Sequence, residues 1–161
     1  MKSAEQNITL AGLKGSSLDR LEQIYVEREP AKLDNGLYKG HFLGMLDSMD
    51  AKKPWLWLIS NGGFNWIPFW IDFSKNRWCF FHPKVALGKF ETTVGPSRWR
   101  ETQTYQLHYE CSHLPGFVKR HLYDEVKPIN EALCLGMGGV NAPDNRGDLF
   151  FFALERVTQN K

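Results

Sequence analysis

The spacing of apolar and polar positions in this 161-residue chain predicts one helix near the start and strands after it. From residue 17 onward, apolar residues recur at steps of three and four, at Leu18, Leu21, Ile24 and Tyr25. This is the spacing of an amphipathic helix, and Pro30 ends it because the residue before a proline disfavours helical geometry. We predict a helix over 17–28, preceded by a loose N-terminal arm over 1–15.

Beyond residue 35 the apolar positions form short runs or alternate with polar ones, which is typical of strands. The clearest alternation runs over 98–111, where Trp99, Tyr105, Leu107 and Tyr109 alternate with polar residues. Turn residues rich in Gly, Asn and Pro separate many of these segments. The predicted strands cover 36–46, 54–60, 64–73, 77–81, 87–94, 98–111, 118–129, 133–140 and 149–157.

About eight or more strands with short connections exclude a doubly wound parallel sheet, which would need a helix between successive strands. They favour antiparallel closure into a barrel, because closure removes exposed strand edges. A sandwich is the alternative. No internal repeat or linker is visible in the sequence, so residues 1–161 are predicted to form a single barrel domain.

The chain is unusually rich in aromatic residues, with six Trp, eleven Phe and five Tyr. Five of the tryptophans fall close together, at Trp55, Trp57, Trp66, Trp70 and Trp78. Each such ring is well explained as core, since most buried aromatic side chains simply pack. Taken together, so many indoles favour a cavity with aromatic walls that holds an apolar or conjugated ligand.

Charge and cysteine content narrow the class of protein. The formal net charge is +2 and no long run of like charges occurs, so nucleic-acid binding is not expected. Three cysteines without a C-x-x-C pair suit a reducing compartment. No signal peptide is visible at the N-terminus, and the apolar stretch 54–73 is interrupted by polar residues and Pro68. We therefore expect a cytoplasmic protein without a membrane span.

A short helix followed by Gly36-Leu37-Tyr38-Lys39-Gly40 resembles the opening of the Gly-x-Trp-x-Gly domain family of bacterial proteins of unknown function, with Tyr38 at the Trp position. The motif is also similar to that of the calycin group, which includes lipocalins, fatty-acid-binding proteins and nitrobindin-like barrels. Residues 122–129, 133–138 and 150–155 resemble the last three strands of lipocalin-like bacterial proteins. The resemblance implies a mainly β, antiparallel lipocalin-like (calycin) barrel with a short N-terminal helix and an internal pocket, and it implies no particular substrate.

The first functional hypothesis is an intracellular lipocalin-like protein that binds a small hydrophobic or aromatic ligand inside the barrel. Aromatic side chains would form the walls, and an arginine could hold a carboxylate or phosphate. The predicted ligand-binding residues are Tyr38, Trp57, Trp66, Trp70, Trp78, Arg98, Arg100, Tyr105, Tyr109 and His121.

A barrel enzyme of the isomerase, cyclase or hydratase type is the first alternative, acting on an apolar substrate. Strand alternation puts His121 and Glu125 on one face and Asp124 on the other, so only the first two could cooperate in acid–base chemistry. An outward charged strand face explains the same residues. A haem-binding barrel with His41 or His121 as axial ligand is a second alternative, and an interaction domain that forms a homodimer is a third.

Metal binding is not predicted. His108, His113 and His121, with Cys111 among them, do not match the spacing of a closed zinc site. Gly136-Met137-Gly138-Gly139 lacks the helix and the third glycine spacing of a dinucleotide fingerprint. No cofactor is therefore predicted.

Overall fold

The computed structural model describes residues 8–47, 67–140 and 148–158. The helices are α1 (Leu10–Lys14), α2 (Leu18–Glu27) and α3 (Gly116–Lys119). The strands are β1 (Leu37–Asp47), β2 (Phe69–Asp72), β3 (Arg77–Phe80), β4 (Ala86–Lys89), β5 (Glu91–Pro96), β6 (Gln103–His108), β7 (Leu122–Asn130), β8 (Leu133–Val140) and β9 (Asp148–Arg156).

The nine described strands form one antiparallel sheet in the order β4-β3-β2-β1-β9-β8-β7-β6-β5. The sheet curls until its two ends meet. Trp78 of β3 packs edge-on against Tyr109, which follows β6, with ring centroids 5.1 Å apart. Near the end of β4, the Lys89 amide donates to Ser112 Oγ at 3.3 Å. The result is a nearly closed barrel, which confirms the mainly β, antiparallel barrel fold with a short N-terminal helix.

Strands β8 and β9 are buried on both faces because the barrel interior lies on one side and the two N-terminal helices on the other. The inward core includes Phe152 and Leu154, while the outward core includes Phe151 and Ala153 together with Tyr25 of α2. This double burial explains why both strands read as nearly continuous apolar runs rather than as alternating patterns. The helices thus cover one outer wall of the barrel.

The predicted helix over 17–28 is confirmed as α2. Ser17 caps it by accepting a hydrogen bond from the Arg20 amide at 3.3 Å, which satisfies one free amide of the first turn. The prediction of a loose arm over 1–15 is wrong for residues 10–14, which form α1. Thr9 caps this helix, and Leu13 is buried against the outward core. A single turn of helix leaves too short a periodic pattern to detect.

The predicted strand over 98–111 is also wrong in its first part, since β6 covers only Gln103–His108. Ser97 Oγ accepts from the amides of Trp99 and Arg100, each at 3.1 Å. Such local side-chain bonds to the backbone replace a strand ladder. Residues 97–102 therefore bend across the outside of the sheet instead of extending β6.

Smaller differences occur in the other predicted strands. The predicted strand 87–94 is split at Phe90 into β4 and β5, because the buried Phe90 ring turns inward onto Tyr109 and Phe73. Residues 116–119 form α3 before β7 begins at Leu122. The predicted strand 54–60 and the start of the predicted strand 64–73 lie outside the described residues. Among the described residues, no helix has the length and apolar character to cross a bilayer.

Candidate ligand-binding site

A polar pair lies inside the barrel, surrounded by aromatic rings. Asp124 of β7 faces inward and is 3% exposed, and the Tyr109 hydroxyl donates to its Oδ2. Phe150 and Asp124 both lie over Gly138, where an added Cβ would be 2.4 Å from the Phe150 ring and 2.6 Å from Asp124 Oδ1. Glycine at this position lets both side chains approach the sheet. Trp78, Tyr109, Asp124 and Phe150 form what we call the inner cluster.

The Asp124 carboxyl has a pKa raised from its ordinary value of 3.8 to about 7, mainly because burial disfavours the charged form. The hydrogen bond from Tyr109 opposes this shift, and the nearby Glu125 adds to it. Burial and the Asp124 charge likewise raise the pKa of the Tyr109 phenol well above its ordinary value. The carboxyl can therefore accept or donate a hydrogen bond near neutral pH.

The Trp78 indole adds a donor to the inner cluster that lacks a well-placed acceptor. Its side chain contacts Tyr109 and lowers the pKa of that phenol. Nevertheless its Nε1 is buried and completes no hydrogen bond of acceptable geometry with the residues that the structure describes. A buried N–H without an acceptor costs free energy, roughly 1–3 kcal/mol, so such groups are uncommon in cores.

Half-buried apolar side chains surround the inner cluster on the inward face of the barrel. Leu122 and Val140 are cross-strand partners on β7 and β8, and Met45 lies opposite Phe150. Phe80 packs on Trp78 with centroids 5.6 Å apart. These four residues pack against the inward core but remain partly exposed. They frame the inner cluster with apolar surface at the end of the barrel where β1 and β8 finish.

The opposite end of the barrel is closed by packing. Tyr38 is 2% exposed and its hydroxyl donates to the Asp34 carbonyl at 3.2 Å; burial raises the pKa of this phenol to about 12. The Tyr105 hydroxyl accepts from the Leu33 amide at 3.0 Å. Farther in, an added Cβ on Gly136 would lie only 2.2 Å from the Phe152 ring. Tyr38 and Tyr105 therefore lie apart from the inner cluster, to which Tyr109 belongs.

The other carboxyl of this strand, Glu125, belongs to an outward cluster beneath α2. Its oxygens accept from Tyr25 Oη at 2.8 Å, Ser97 Oγ at 2.6 Å, the Arg98 amide at 2.7 Å and Tyr123 Oη at 3.0 Å. Glu125 is fully buried. Four donors match the acceptor capacity of an ionised carboxylate. This arrangement ties the helix, the 97–102 bend and β7 together.

The predicted arginine anchors lie outside the barrel. Arg98 stacks on the outer side of Tyr123, with its guanidinium carbon 3.6 Å from the ring centroid, and Arg100 pairs with Glu22 of α2. A surface groove of about 540 Å³ next to Arg100 is also lined by Val26 and Glu29. Both guanidiniums are therefore committed to holding the 97–102 bend, and neither faces the inner cluster.

The remaining predicted site residues either do not face the barrel interior or lie outside the described residues. Trp70 lies between the inward Phe69 and Ile71 on β2, so its side chain is on the outer face. His121 is exposed just before β7. Trp57 and Trp66 lie outside the described residues. Of the ten predicted residues, the structure brings Trp78 and Tyr109 together.

Neither histidine considered as a haem ligand faces the interior. His41 alternates with the inward Tyr38 and Phe42 and its Nε2 lies 3.2 Å from Glu155 Oε2 on the outer face; burial lowers the pKa of its imidazole. His121 is not one of the four hydrogen-bond donors to Glu125, so His121 and Glu125 do not form an acid–base pair. Within the described ranges, no group of three His, Cys, Asp or Glu side chains could hold a metal ion.

Asp124 is the residue that sequence reasoning did not select. The signal was present, because Asp124 lies two residues from each of the apolar Leu122 and Val126 and so shares their face of the strand. What the pattern could not show is that this face is the inside of the barrel while Glu125 lies beneath a helix.

Comparison with known proteins supports the fold alone. The chain is similar to the crystal structure of a protein from Thermomonospora curvata, with a TM-score of 0.53 and 17% sequence identity over 89% of each chain. No protein-family model matches the sequence, and no curated protein matches it. At this level of identity the similarity extends to the barrel architecture and not to a site.

Proposed function

We propose that this protein binds a small, uncharged, largely apolar molecule at the inner cluster, as an intracellular lipocalin-like carrier. The proposal keeps the first hypothesis and the resemblance to Gly-x-Trp-x-Gly and calycin proteins, but it moves the polar contacts from the arginines to Asp124 and Trp78. The observation that carries it is the buried Trp78 N–H, which lacks an acceptor of good geometry among the described residues, beside a carboxyl that faces the same interior.

The surroundings of this donor favour a ligand over a purely structural role. A polar group left unpaired in a core is selected against, whereas a binding pocket keeps a few convergent polar groups on apolar walls to orient a ligand. The walls are present in the half-buried Met45, Phe80, Leu122 and Val140. A ligand carbonyl or ether oxygen would satisfy the indole, and the ligand body would cover the apolar walls.

Asp124 sets the charge of the ligand. With a pKa of about 7 it is partly ionised at neutral pH, and an ionised carboxylate in an apolar interior repels another anion strongly. A neutral molecule with a hydroxyl or amine that can donate to Asp124 fits better than a fatty-acid carboxylate. The ligand class is thus a conjugated or isoprenoid-like compound with an acceptor and a donor.

Nile red tests the proposal because it is neutral, conjugated and carries a carbonyl acceptor. We expect saturable binding to the full chain with a rise in dye emission. Trp78→Phe keeps an aromatic ring but removes the N–H, and it should weaken binding about five- to tenfold, the equivalent of one hydrogen bond. Trp70→Phe is the matched control on the outer face and should leave the affinity unchanged.

Two results would contradict the proposal. One is the absence of saturable dye binding to the folded chain, with circular dichroism verifying the fold. The other is equal affinity for the Trp78 and Trp70 variants, which would place the dye elsewhere. Native mass spectrometry of the purified protein provides a separate check, since a carrier should retain a neutral small molecule that Trp78→Phe retains less well.

A further inference from the structure

Two chain segments lie side by side where the two ends of the sheet meet, and both expose apolar and basic side chains. They are residues 81–89, from the β3–β4 turn through β4, and residues 111–121, which include α3. An added Cβ on Gly88 would contact Leu114 Cδ1 at 3.5 Å, and Lys89 donates its amide to Ser112 Oγ. We call the exposed face of these two segments the basic apolar surface.

Large apolar side chains are exposed on this surface. Phe81 is 65% exposed and Phe117 is 67% exposed. Val85 and Leu87 lie on the same hairpin and are also exposed. The other exposed large apolar residues of the described ranges, Val94 and Val157, are isolated from them in sequence. Several exposed apolar side chains on two neighbouring segments favour contact with a partner or a membrane.

The same segments carry only positive formal charge. Lys84, Lys89, Lys119 and Arg120 belong to them, while no Asp or Glu occurs in either segment. Within the described part of the chain none of the four takes part in an ion pair. Since the whole chain carries +2 and this surface +4, the remainder sums to −2. The two segments therefore carry more positive charge than the whole chain does.

One of the exposed rings belongs to a residue with strained backbone. Phe81 has φ of 64°, a left-handed conformation that costs a residue with a Cβ about 1–2 kcal/mol. Its amide nonetheless donates to the Pro68 carbonyl at 2.8 Å, so the strained turn is fixed by its surroundings. Strained backbone at a residue with an exposed phenyl ring is typical of a functional position.

We propose that the basic apolar surface docks the protein onto an anionic phospholipid bilayer. Phenyl and aliphatic side chains gain free energy at the boundary between headgroups and acyl chains, and lysine and arginine are attracted to anionic headgroups. A nucleic acid would use the cations but would leave Val85 and Leu87 exposed, so a membrane explains more of the surface. This proposal does not depend on the ligand at the inner cluster.

Vesicle flotation with the full chain tests the docking. We expect the protein to float with vesicles of phosphatidylglycerol and phosphatidylcholine and not with pure phosphatidylcholine. Phe81→Asn should reduce binding about tenfold while preserving the fold, because asparagine tolerates left-handed backbone. Lys84→Gln should reduce it about fivefold, the effect of one interfacial charge.

Matched controls lie on other faces. Val94→Ser removes an exposed apolar side chain and Lys39→Gln removes an exposed charge, and neither should change flotation. Equal binding of the Phe81 variant and wild type to anionic vesicles would overturn the proposal. Two other results, each obtained without vesicle binding, would also overturn it. One is binding to single-stranded RNA that depends on Lys84 but not on Phe81. The other is a dimer in light scattering that Phe81→Asn converts to a monomer.

Discussion

Asp124 and Glu125 are neighbours on β7 and differ in nearly everything that surrounds them. Glu125 points outward and receives four hydrogen bonds from α2, the 97–102 bend and its own strand. Asp124 points into the barrel and receives one, from Tyr109, among the described residues. Both carboxyls are buried. Among the described residues, β7 therefore carries one carboxyl with a full set of donors and one with a single donor.

This difference in hydrogen bonding indicates a structural role for Glu125 and a binding role for Asp124. A buried carboxylate with a full set of donors can remain charged and stabilise the parts it connects. One with a single donor responds by taking up a proton more easily, as the raised pKa of Asp124 shows. Such under-satisfied groups concentrate at functional sites. We therefore expect substitutions of Glu125 to affect folding and substitutions of Asp124 to affect binding and pH response.

The largest effect should follow Glu125→Ala. It leaves the hydroxyls of Tyr25, Ser97 and Tyr123 and the Arg98 amide without their shared acceptor. Each buried donor left without an acceptor costs roughly 1–3 kcal/mol, so we expect a total loss of about 3–5 kcal/mol. Urea unfolding followed by circular dichroism measures this change. Glu91→Ala, at an exposed position of β5, is the control and should stay within about 0.5 kcal/mol of wild type; a similar small loss for Glu125→Ala would refute the structural role.

Asp124→Asn should change the pH dependence of stability. Below about pH 4 the Asp124 carboxyl is protonated in both the folded and unfolded chain, and it costs nothing. Between about pH 4 and its folded pKa of about 7, only the unfolded chain releases the proton, so stability is lost as pH rises. Above pH 7 the cost is complete. From pH 5 to 8, wild type should therefore lose about 2.6 kcal/mol relative to the variant.

Urea unfolding of both proteins across this pH range measures the difference directly. Subtracting the variant removes contributions from other groups, including Lys127, whose pKa burial lowers to about 8. If the two stability curves remain parallel from pH 5 to 8, the carboxyl of Asp124 is not held in its protonated form. In that case its role in selecting a neutral ligand would be lost as well.

Much of the fold could be predicted from the sequence because its patterns are local. The helix α2 has a complete amphipathic repeat with a serine cap, and β8 was predicted with the bounds that it has. The 97–102 bend could not be foreseen, since its alternation is that of a strand and only contacts with Ser97 and Glu125 redirect it. Long-range partners of this kind leave no periodic signal.

The site was harder to predict than the fold because it depends on which strand face is inside. Alternation separates Asp124 from Glu125 but does not say which one enters the barrel. The N-terminal helices cover the outer wall of β7 to β9, so an outward residue such as Glu125 is as buried as an inward one. The arginines that the sequence favoured as ligand anchors instead hold the bend against α2 and Tyr123.

The smallest effect should follow Tyr109→Phe. The direction in which the pKa of Asp124 changes tests whether this phenol donates to Asp124. The phenol donates to the charged form of Asp124 and so lowers its pKa. Without it the pKa of Asp124 should rise above about 7, with a stability loss of about 1 kcal/mol. Tyr123→Phe is the matched control, because Glu125 would keep three donors and the Asp124 titration should not move.

Carboxyl carbon chemical shifts in aspartate-labelled protein, recorded against pH, report both variants. A midpoint that falls or stays fixed in Tyr109→Phe would show that the phenol does not serve as the donor to Asp124, and the inner cluster would lose its polar pair.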